Sequence, residues 1–282
     1  MAKVYESGLI IDSEKFNAVV KKLREFFWSK NFIEVHTQNR LSILAACEDP
    51  FNVQTFEYSN KVWPLIQTGQ MWLEYEILKK PDVAGYFCLT TSYRMEPNPV
   101  PGRHDVIFPM FEFEFKGDMQ ELMELQKELL VHLGYDSSNF YVNSYKSIAK
   151  EFNTTELEHE HEERLYKEKS PVSFITDFPE FTSPFWNMRR NKENDTSYKV
   201  DVILSGMETF GSAEREVDKD VMRECFETIM DGTYKDKLFE LFGEERTRAE
   251  LEEYFELNFI KRSGCGIGLT RLIRSMIKEN LL

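Results

Sequence analysis

Between Asp12 and Phe32, apolar side chains recur at Phe16, Val19, Val20, Leu23, Phe26 and Phe27. This spacing lays them along one stripe of a helix and makes Asp12 its N-cap. "FIEVHT" (32–37) then alternates, as a strand does. In "VWPLIQTGQMWLEYEILKKPD" a strand-like stretch yields at Gly69 to a helix from about Met71 to Lys80, stopped by Pro81. "GYFCLTTSYR" (85–94) and "VIFPMFEFEFKG" (106–117) read as the two strands of an antiparallel hairpin with a long, proline-stiffened loop. "MQELMELQKELLVHLG" is an amphipathic helix closed by Gly134. Residues 150–170, "KEFNTTELEHEHEERLYKEKS", read as a solvated, charged helix. "VSFITDFP" (172–179) and "YKVDVILSGMETFG" (198–211) read as strands. "DKDVMRECFETIM", "YKDKLFELFG" and "RAELEEYFELNFIK" read as helices. "SGCGIGLTRLIRSMIKEN" (263–280) is a glycine-rich turn or strand feeding a last helix.

Strands and helices do not alternate regularly. That argues for an α+β fold with a mostly antiparallel sheet, not a doubly wound parallel one. One domain over 1–282 is the simplest organisation, with 140–170 as a helical insertion. No internal repeat or low-complexity linker divides the chain.

Composition narrows this picture. With 41% hydrophobic residues and 23 Phe, the chain has ample material for a core. No run of 18 apolar residues predicts a membrane span. "MAKVYESGLIIDSEK" lacks the basic and apolar blocks of a secretory signal. The cysteines at 47, 88, 225 and 265 are scattered without a C-x-x-C pair, which fits reduced thiols in a cytoplasmic protein. A net charge of −14 opposes bulk nucleic-acid binding, since phosphate contacts need Lys and Arg. The densest basic cluster is only "NMRRNK" (187–192). His159 and His161 are two apart, on different helical faces and without a third ligand, so they make a poor metal site.

Three segments look less like ordinary core. "YRMEPNPVPGRHDVIFPMFEFEF" sets Arg94 and Glu96 before a stiff loop, Arg103 and His104 after it, and then Phe108. Arg94 can fork two phosphate oxygens, and Phe108 offers an aromatic face. In "GCGIGLTR", alternating glycines let a planar group lie against the backbone beside Arg271. In "DVILSGMETFGSAER", Asp201, Glu208 and Arg215 follow at seven-residue steps. Two neighbouring carboxylates suit Mg2+, which takes oxygen ligands and shares them with substrate phosphates.

Together these segments resemble the signature motifs of class II aminoacyl-tRNA synthetases of the aspartyl/asparaginyl subgroup. The first resembles motif 2 and the second motif 3. "DVILSGMETFGSAER" resembles the intervening D-x6-E-x6-R segment, "LREFFWSKNFIEVHT" motif 1, and "QTGQMWLE" the amino-acid loop. They occur in the family's order over nearly the whole chain. The resemblance implies an antiparallel sheet flanked by helices, and ATP and Mg2+ as cofactors. It implies that Arg94 and Arg271 act on the phosphates with Arg103 and His104 beside them. Phe108, Glu96, Gly266 and Gly268 would hold adenine, and Asp201 and Glu208 the metal. Thr68, Gln70, Glu112 and Arg215 would hold the amino acid.

The departures are informative. Gln38 replaces the proline that ends motif 1 at the dimer interface. Gly211-Ser212 inverts the usual Ser-Gly, and Thr270 replaces a common acid. Leu73 stands where aspartyl enzymes carry Lys, so Leu73 and Glu112 follow the asparaginyl pattern. Few residues precede motif 1, so no anticodon-binding domain is expected. That resembles free-standing asparagine-synthetase-type ligases. The expected activity is AMP-forming activation of aspartate or asparagine, with transfer to ammonia or another small amine. A homodimer is expected, with neither tRNA nor a membrane as the expected partner. Transfer to tRNA or a carrier, and a catalytically silent amino-acid-binding paralogue, are the alternatives.

Overall fold

The structure, a computed structural model, describes residues 11–38, 40–44, 48–95, 99–182 and 184–282. The chain opens with α1 (Ser13–Ser29), whose N-cap Asp12 accepts from the amides of Glu14 and Lys15. It continues through β1 (Ile33–Glu34), the hairpin β2 (Thr55–Tyr58) and β3 (Lys61–Pro64), and α2 (Gln70–Lys79). Then come β4 (Gly85–Tyr93), β5 (Ile107–Phe115) and α3 (Met119–Leu133), which ends on Gly134 in the left-handed region. Next are β6 (Phe140–Ser144), α4 (Tyr145–Phe152), α5 (His159–Glu168), β7 (Val172–Pro179), β8 (Arg190–Asn191), β9 (Thr196–Leu204) and β10 (Met207–Glu214). The remaining elements are α6 (Lys219–Thr228), α7 (Thr233–Phe242), α8 (Glu244–Phe255), β11 (Ser263–Gly268) and α9 (Leu269–Lys278).

One sheet organises the molecule, in the order β1-β4-β5-β11-β10-β9-β7-β6, with β8 pairing β9. The inner pairs are antiparallel; β1–β4 and β6–β7 at the two edges are parallel. The expected α+β architecture is therefore present. One face carries α1, α3 and α9 over Phe27, Phe87, Phe111 and Phe113. The opposite side packs α2, α6, α7 and α8 around Trp186, Phe226 and Tyr254. A smaller cluster seats α4 and α5 on β7 and β9.

Several local expectations change. Residues 140–170 are not purely helical: Phe140–Ser144 add the edge strand β6, and α4 and α5 are separate helices. The break follows Asn153, whose left-handed φ of 55° ends α4. The stretch 198–211 is a hairpin folded at Ser205-Gly206, both at positive φ. Only Ile33–Glu34 of 32–37 pair as a strand. His161 is buried, stacks on Phe152 and accepts from the Glu158 amide, which is a helix-start role.

β5 explains much of the site. Phe111, Phe113 and Phe115 point into the core under α1, while Met110, Glu112 and Glu114 point to the other face, beneath α2. Both glutamates are fully buried. The neighbouring strand β11 places Gly264 opposite Glu114, Gly266 opposite Glu112 and Gly268 opposite Met110. The alternating glycines thus open room on the face where β5 carries its long polar side chains.

Candidate active site

The β4–β5 hairpin, β10 and the β11–α9 turn enclose a cleft of about 200 Å3. Arg94, Arg103, His104 and Phe108 line it from the hairpin. Glu208 and Gly211 line it from β10, and Gly266, Gly268 and Arg271 from β11 and α9. These side chains come from three segments far apart in sequence, and the antiparallel register brings them together. Glu96 lies outside the described residues.

Arg94 stands where β4 ends, and its amide bonds the Val106 carbonyl at 2.9 Å, closing the neck of the loop. Its guanidinium lies 5.8 Å from the centre of the Phe108 ring, within cation–π range. The amides of Arg103 and His104 both donate to the Val100 carbonyl, and the Val100 amide donates to His104 Nδ1 at 3.3 Å. Arg271 spans the cleft's edge. It donates to the Glu208 carbonyl at 2.6 Å and to the Arg103 carbonyl at 3.2 Å. Arg103 turns its own guanidinium to Glu162 on α5, at 2.5 Å.

Asp201 and Glu208 converge as expected on two adjacent strands. A Cβ at Gly211 would lie 3.2 Å from Glu208 Oε1 and 3.9 Å from Asp201 Oδ1, so both carboxylates border that bare position. Asp201 Oδ2 pairs with Lys199 at 2.7 Å, while Oδ1 is buried without a hydrogen-bond partner. An orphaned buried carboxylate oxygen beside a second carboxylate fits a hard cation such as Mg2+. Burial, reinforced by Glu208 against the pull of Lys199, raises the Asp201 pKa to about 7. Among the described residues no group of three or more His, Cys, Asp or Glu is placed to hold a metal, so water and phosphate oxygens would complete the shell.

The four expected amino-acid contacts do not line this cleft; they lie behind it under α2. Glu112 is fully buried and accepts from Thr68 Oγ1, from the Gly69 amide at 2.8 Å and from Thr90 Oγ1 at 2.6 Å. With its oxygens taken by these donors, it anchors the loop that starts α2. Burial raises its pKa despite those bonds. Thr68 in turn accepts from the Gln70 amide at 3.1 Å. Gln70 donates its side-chain amide to the Cys265 carbonyl at 2.9 Å and accepts from Arg215 at 2.5 Å.

Arg215 is 2% exposed, where the sequence leads one to expect a cation open to substrate. Its guanidinium bonds both Glu114 oxygens, at 3.3 and 3.1 Å, and lies 3.4 Å from Glu74. Glu74 also binds Arg262 at 2.6 Å and Tyr254 at 2.7 Å. Two guanidiniums and two carboxylates share one dry site. Burial raises Glu74, but Arg262 and Arg215 outweigh it and hold the carboxyl low. Burial and the neighbouring Glu74 push Glu114 up, against the pull of Arg215. Gly264 has no room for a Cβ, because the Glu114, Gln70 and Arg215 head groups fill that place. Met110 lines the cleft on the side of this cluster, its methyl 2.7 Å from where a Cβ of Gly266 would stand.

The sequence assigns no site role to Glu74, Glu114, Arg262 or Glu162. A faint signal existed for two of them. Glu74 lies one helical turn after Gln70, and Glu114 repeats Glu112 on the same strand face.

Comparison with known proteins places the chain in a family. The model for tRNA synthetases class II (D, K and N) matches residues 12–281, and the chain belongs to that family. It is 22% identical to a lysine–tRNA ligase of Saccharolobus solfataricus, over 90% of this chain and 59% of the relative. It is also 22% identical to an aspartate–tRNA(Asp) ligase of Pyrobaculum aerophilum, over 93% of this chain and 63% of the relative. The chain thus spans about three fifths of the length of these relatives. The fold matches asparaginyl-tRNA synthetase from Pyrococcus horikoshii complexed with asparaginyl-adenylate, with a TM-score of 0.75 at 18% identity, covering 94% of this chain and 64% of that one. The Entamoeba histolytica asparaginyl-tRNA synthetase in complex with asparaginyl-adenylate gives 0.74 at 16% identity, over 95% and 64%. Among the described residues no helix is long and apolar enough to cross a membrane.

Proposed function

We propose that this chain activates a small amino acid with ATP, forming an aminoacyl-adenylate and releasing pyrophosphate. The observation that carries this reading is the convergence of Arg94, Phe108, Gly266, Gly268 and Arg271 on one cleft lined also by Glu208, with the buried Asp201 beside Gly211. In this reading adenine lies between Phe108 and the bare backbone of Gly266 and Gly268. Arg94 sits beside the ring face, placed for the α-phosphate, and stabilises charge as the carboxylate attacks phosphorus in line. Arg271, with Arg103 and His104 nearby, takes the far phosphates. Asp201 and Glu208 would hold Mg2+, which supplies charge neutralisation at the phosphates. The attack forms a C–O–P anhydride as the bond to pyrophosphate breaks.

The side-chain preference rests on the cluster behind Met110. Arg215 is already balanced by Glu114 and Glu74, so a substrate carboxylate would add unpaired negative charge to a dry site. An amide adds none. This supports asparagine or a close amide ahead of aspartate. The Pyrococcus and Entamoeba neighbours, both solved with asparaginyl-adenylate, agree with that order.

The acyl group then passes to a nucleophile that attacks the carbonyl and releases AMP. Ammonia or another small amine is the first reading, because the net charge of −14 opposes a polyanionic acceptor. The 3′ end of a tRNA is the second, favoured by the relatives, which are tRNA ligases. A homodimer through the α1–β1 segment is part of the proposal. Trp28 and Ile33 are 51% and 46% exposed there.

Exchange of labelled pyrophosphate into ATP, screened over the twenty amino acids, tests the activation step. Exchange driven by a small amide or acid supports it. Exchange driven only by a large apolar or basic amino acid, or none at all, contradicts it. Filter binding of whole tRNA at physiological salt separates the acceptors, since tight, salt-sensitive binding favours the second.

A further inference from the structure

The helix α5, which reads in sequence as a solvated charged segment, puts one carboxylate at the phosphate end of the cleft. Glu162 is 17% exposed and pairs with Arg103, itself 12% exposed, at 2.5 Å. The same Oε2 atom accepts from the Glu208 amide at 2.6 Å. Glu208 and Arg103 are tied a second time, because Arg271 donates to both of their carbonyls. A closed circuit results: Glu162 joins the Arg103 side chain to the Glu208 backbone, and Arg271 joins the Glu208 backbone to the Arg103 backbone. The circuit links α5, the tip of the β4–β5 loop, the start of β10 and the first turn of α9. Each of Arg103, Glu208 and Arg271 lines the cleft; Glu162 does not.

We propose that Glu162 is a positioning residue for the triphosphate end of the nucleotide. It holds Arg103 at the cleft's rim and fixes the start of β10, so that Glu208 presents its carboxylate toward Gly211. This rests on the nucleotide reading above. The charge logic supports it. An arginine on a glycine- and proline-containing loop pays a large ordering entropy each time it meets phosphate, unless a partner already restrains it. Glu162 supplies that restraint at a distance from the adenine and amino-acid ends. Its removal should therefore act on phosphate and metal binding and spare the rest.

The test is equilibrium binding of ATP by calorimetry, with and without Mg2+, to the full chain. The proteins are wild type, Glu162→Gln, Glu162→Asp, Arg103→Gln and the Glu162→Gln/Arg103→Gln double variant. Melting curves without nucleotide confirm that each is folded, and the Asp variant retains the charge if the Gln variant melts early. The expected result is about tenfold weaker MgATP binding in Glu162→Gln, as one charge-assisted contact is misplaced. Binding of ATP without Mg2+ should weaken less. In an Arg103→Gln background, Glu162→Gln should lose only the share that runs through Glu208, so the combined loss falls short of the product of the two single losses. In exchange kinetics the KM for MgATP rises while the KM for the amino acid holds. Unchanged MgATP affinity in Glu162→Gln, or fully additive losses in the double variant, overturns the proposal while wild-type binding leaves the nucleotide reading standing. Failure of the wild type to bind MgATP overturns the nucleotide reading and this inference with it.

Discussion

Two neighbouring regions of this sheet carry arginines of opposite character. In the cleft, Arg271 is held by backbone carbonyls, which fix its place without cancelling its charge. Behind Met110, Arg215 is held by two carboxylates, which fix its place and cancel it. The first arrangement leaves positive potential for an anionic ligand. The second leaves none, so it favours a ligand that hydrogen-bonds without bringing charge. A motif alone names both as arginines near substrate; their partners decide what each can do.

The largest expected effect breaks the sealed region. Arg215→Leu leaves Glu114 without its main partner and should cost about 3–5 kcal/mol of stability in chemical denaturation. Replacing Arg215 and Glu114 together by apolar residues of matching volume should recover most of that loss. If the double variant is no more stable than the single, the cost was packing and not charge. In the cleft, Arg94→Ala or Arg271→Ala should reduce pyrophosphate exchange by about 10²–10³-fold with little change in melting temperature. Near-normal exchange in either would mean that the phosphates lie elsewhere.

The glycines separate the two regions further. Gly264→Ala must push a methyl into the Glu114, Gln70 and Arg215 head groups and should destabilise by about 2–3 kcal/mol. Gly268→Ala meets only Arg271 Cδ and the Thr209 carbonyl at 3.9 Å, an ordinary contact, so its melting temperature should barely move. Equal losses at both positions would erase the distinction.

A smaller effect concerns Asp201. Burial raises its pKa to about 7 from the usual carboxylate range. Without divalent cation, the folded protein holds a proton between those values that the unfolded chain has lost. Stability from this group therefore falls as pH rises from about 4 to about 7 and stays at its minimum above. Asp201→Asn cannot ionise, so it should melt higher than wild type near pH 8 and at the same temperature near pH 4. A variant that melts lower at alkaline pH would show that the Lys199 pair outweighs burial.

The legibility of these regions in the sequence follows the same divide. The cleft was readable because each of its parts is a local pattern: Arg94 to Phe108 around one loop, alternating glycines before Arg271, seven-residue steps from Asp201 to Glu208. The helix α1 and the hairpin strands were readable from period alone. The sealed cluster was not, because Glu74, Glu114, Arg215, Tyr254 and Arg262 come from separate elements and no local pattern announces a pairing. β5 misleads in a particular way. Its period-2 pattern implies one polar, wet face, yet both faces are covered, so Glu112 and Glu114 are dry. Glu162 was hidden in a run of charges that composition assigns to solvent. β6 was hidden because "FYVNS" is short and half polar. The Ser-Gly turn at 205–206, by contrast, is a hairpin signal present in the sequence itself.

The two regions work together: a cleft in which Arg271 keeps its charge activates an amino acid whose side chain meets the neutralised Arg215. The most direct measurement is pyrophosphate exchange by the wild-type chain with asparagine or aspartate as the sole amino acid, near neutral pH and with Mg2+. Exchange is expected with both ATP and asparagine present, with a kcat/KM for asparagine at least about tenfold above that for aspartate, equivalent to about 1.4 kcal/mol. A preference for aspartate, or exchange with neither, would contradict this reading.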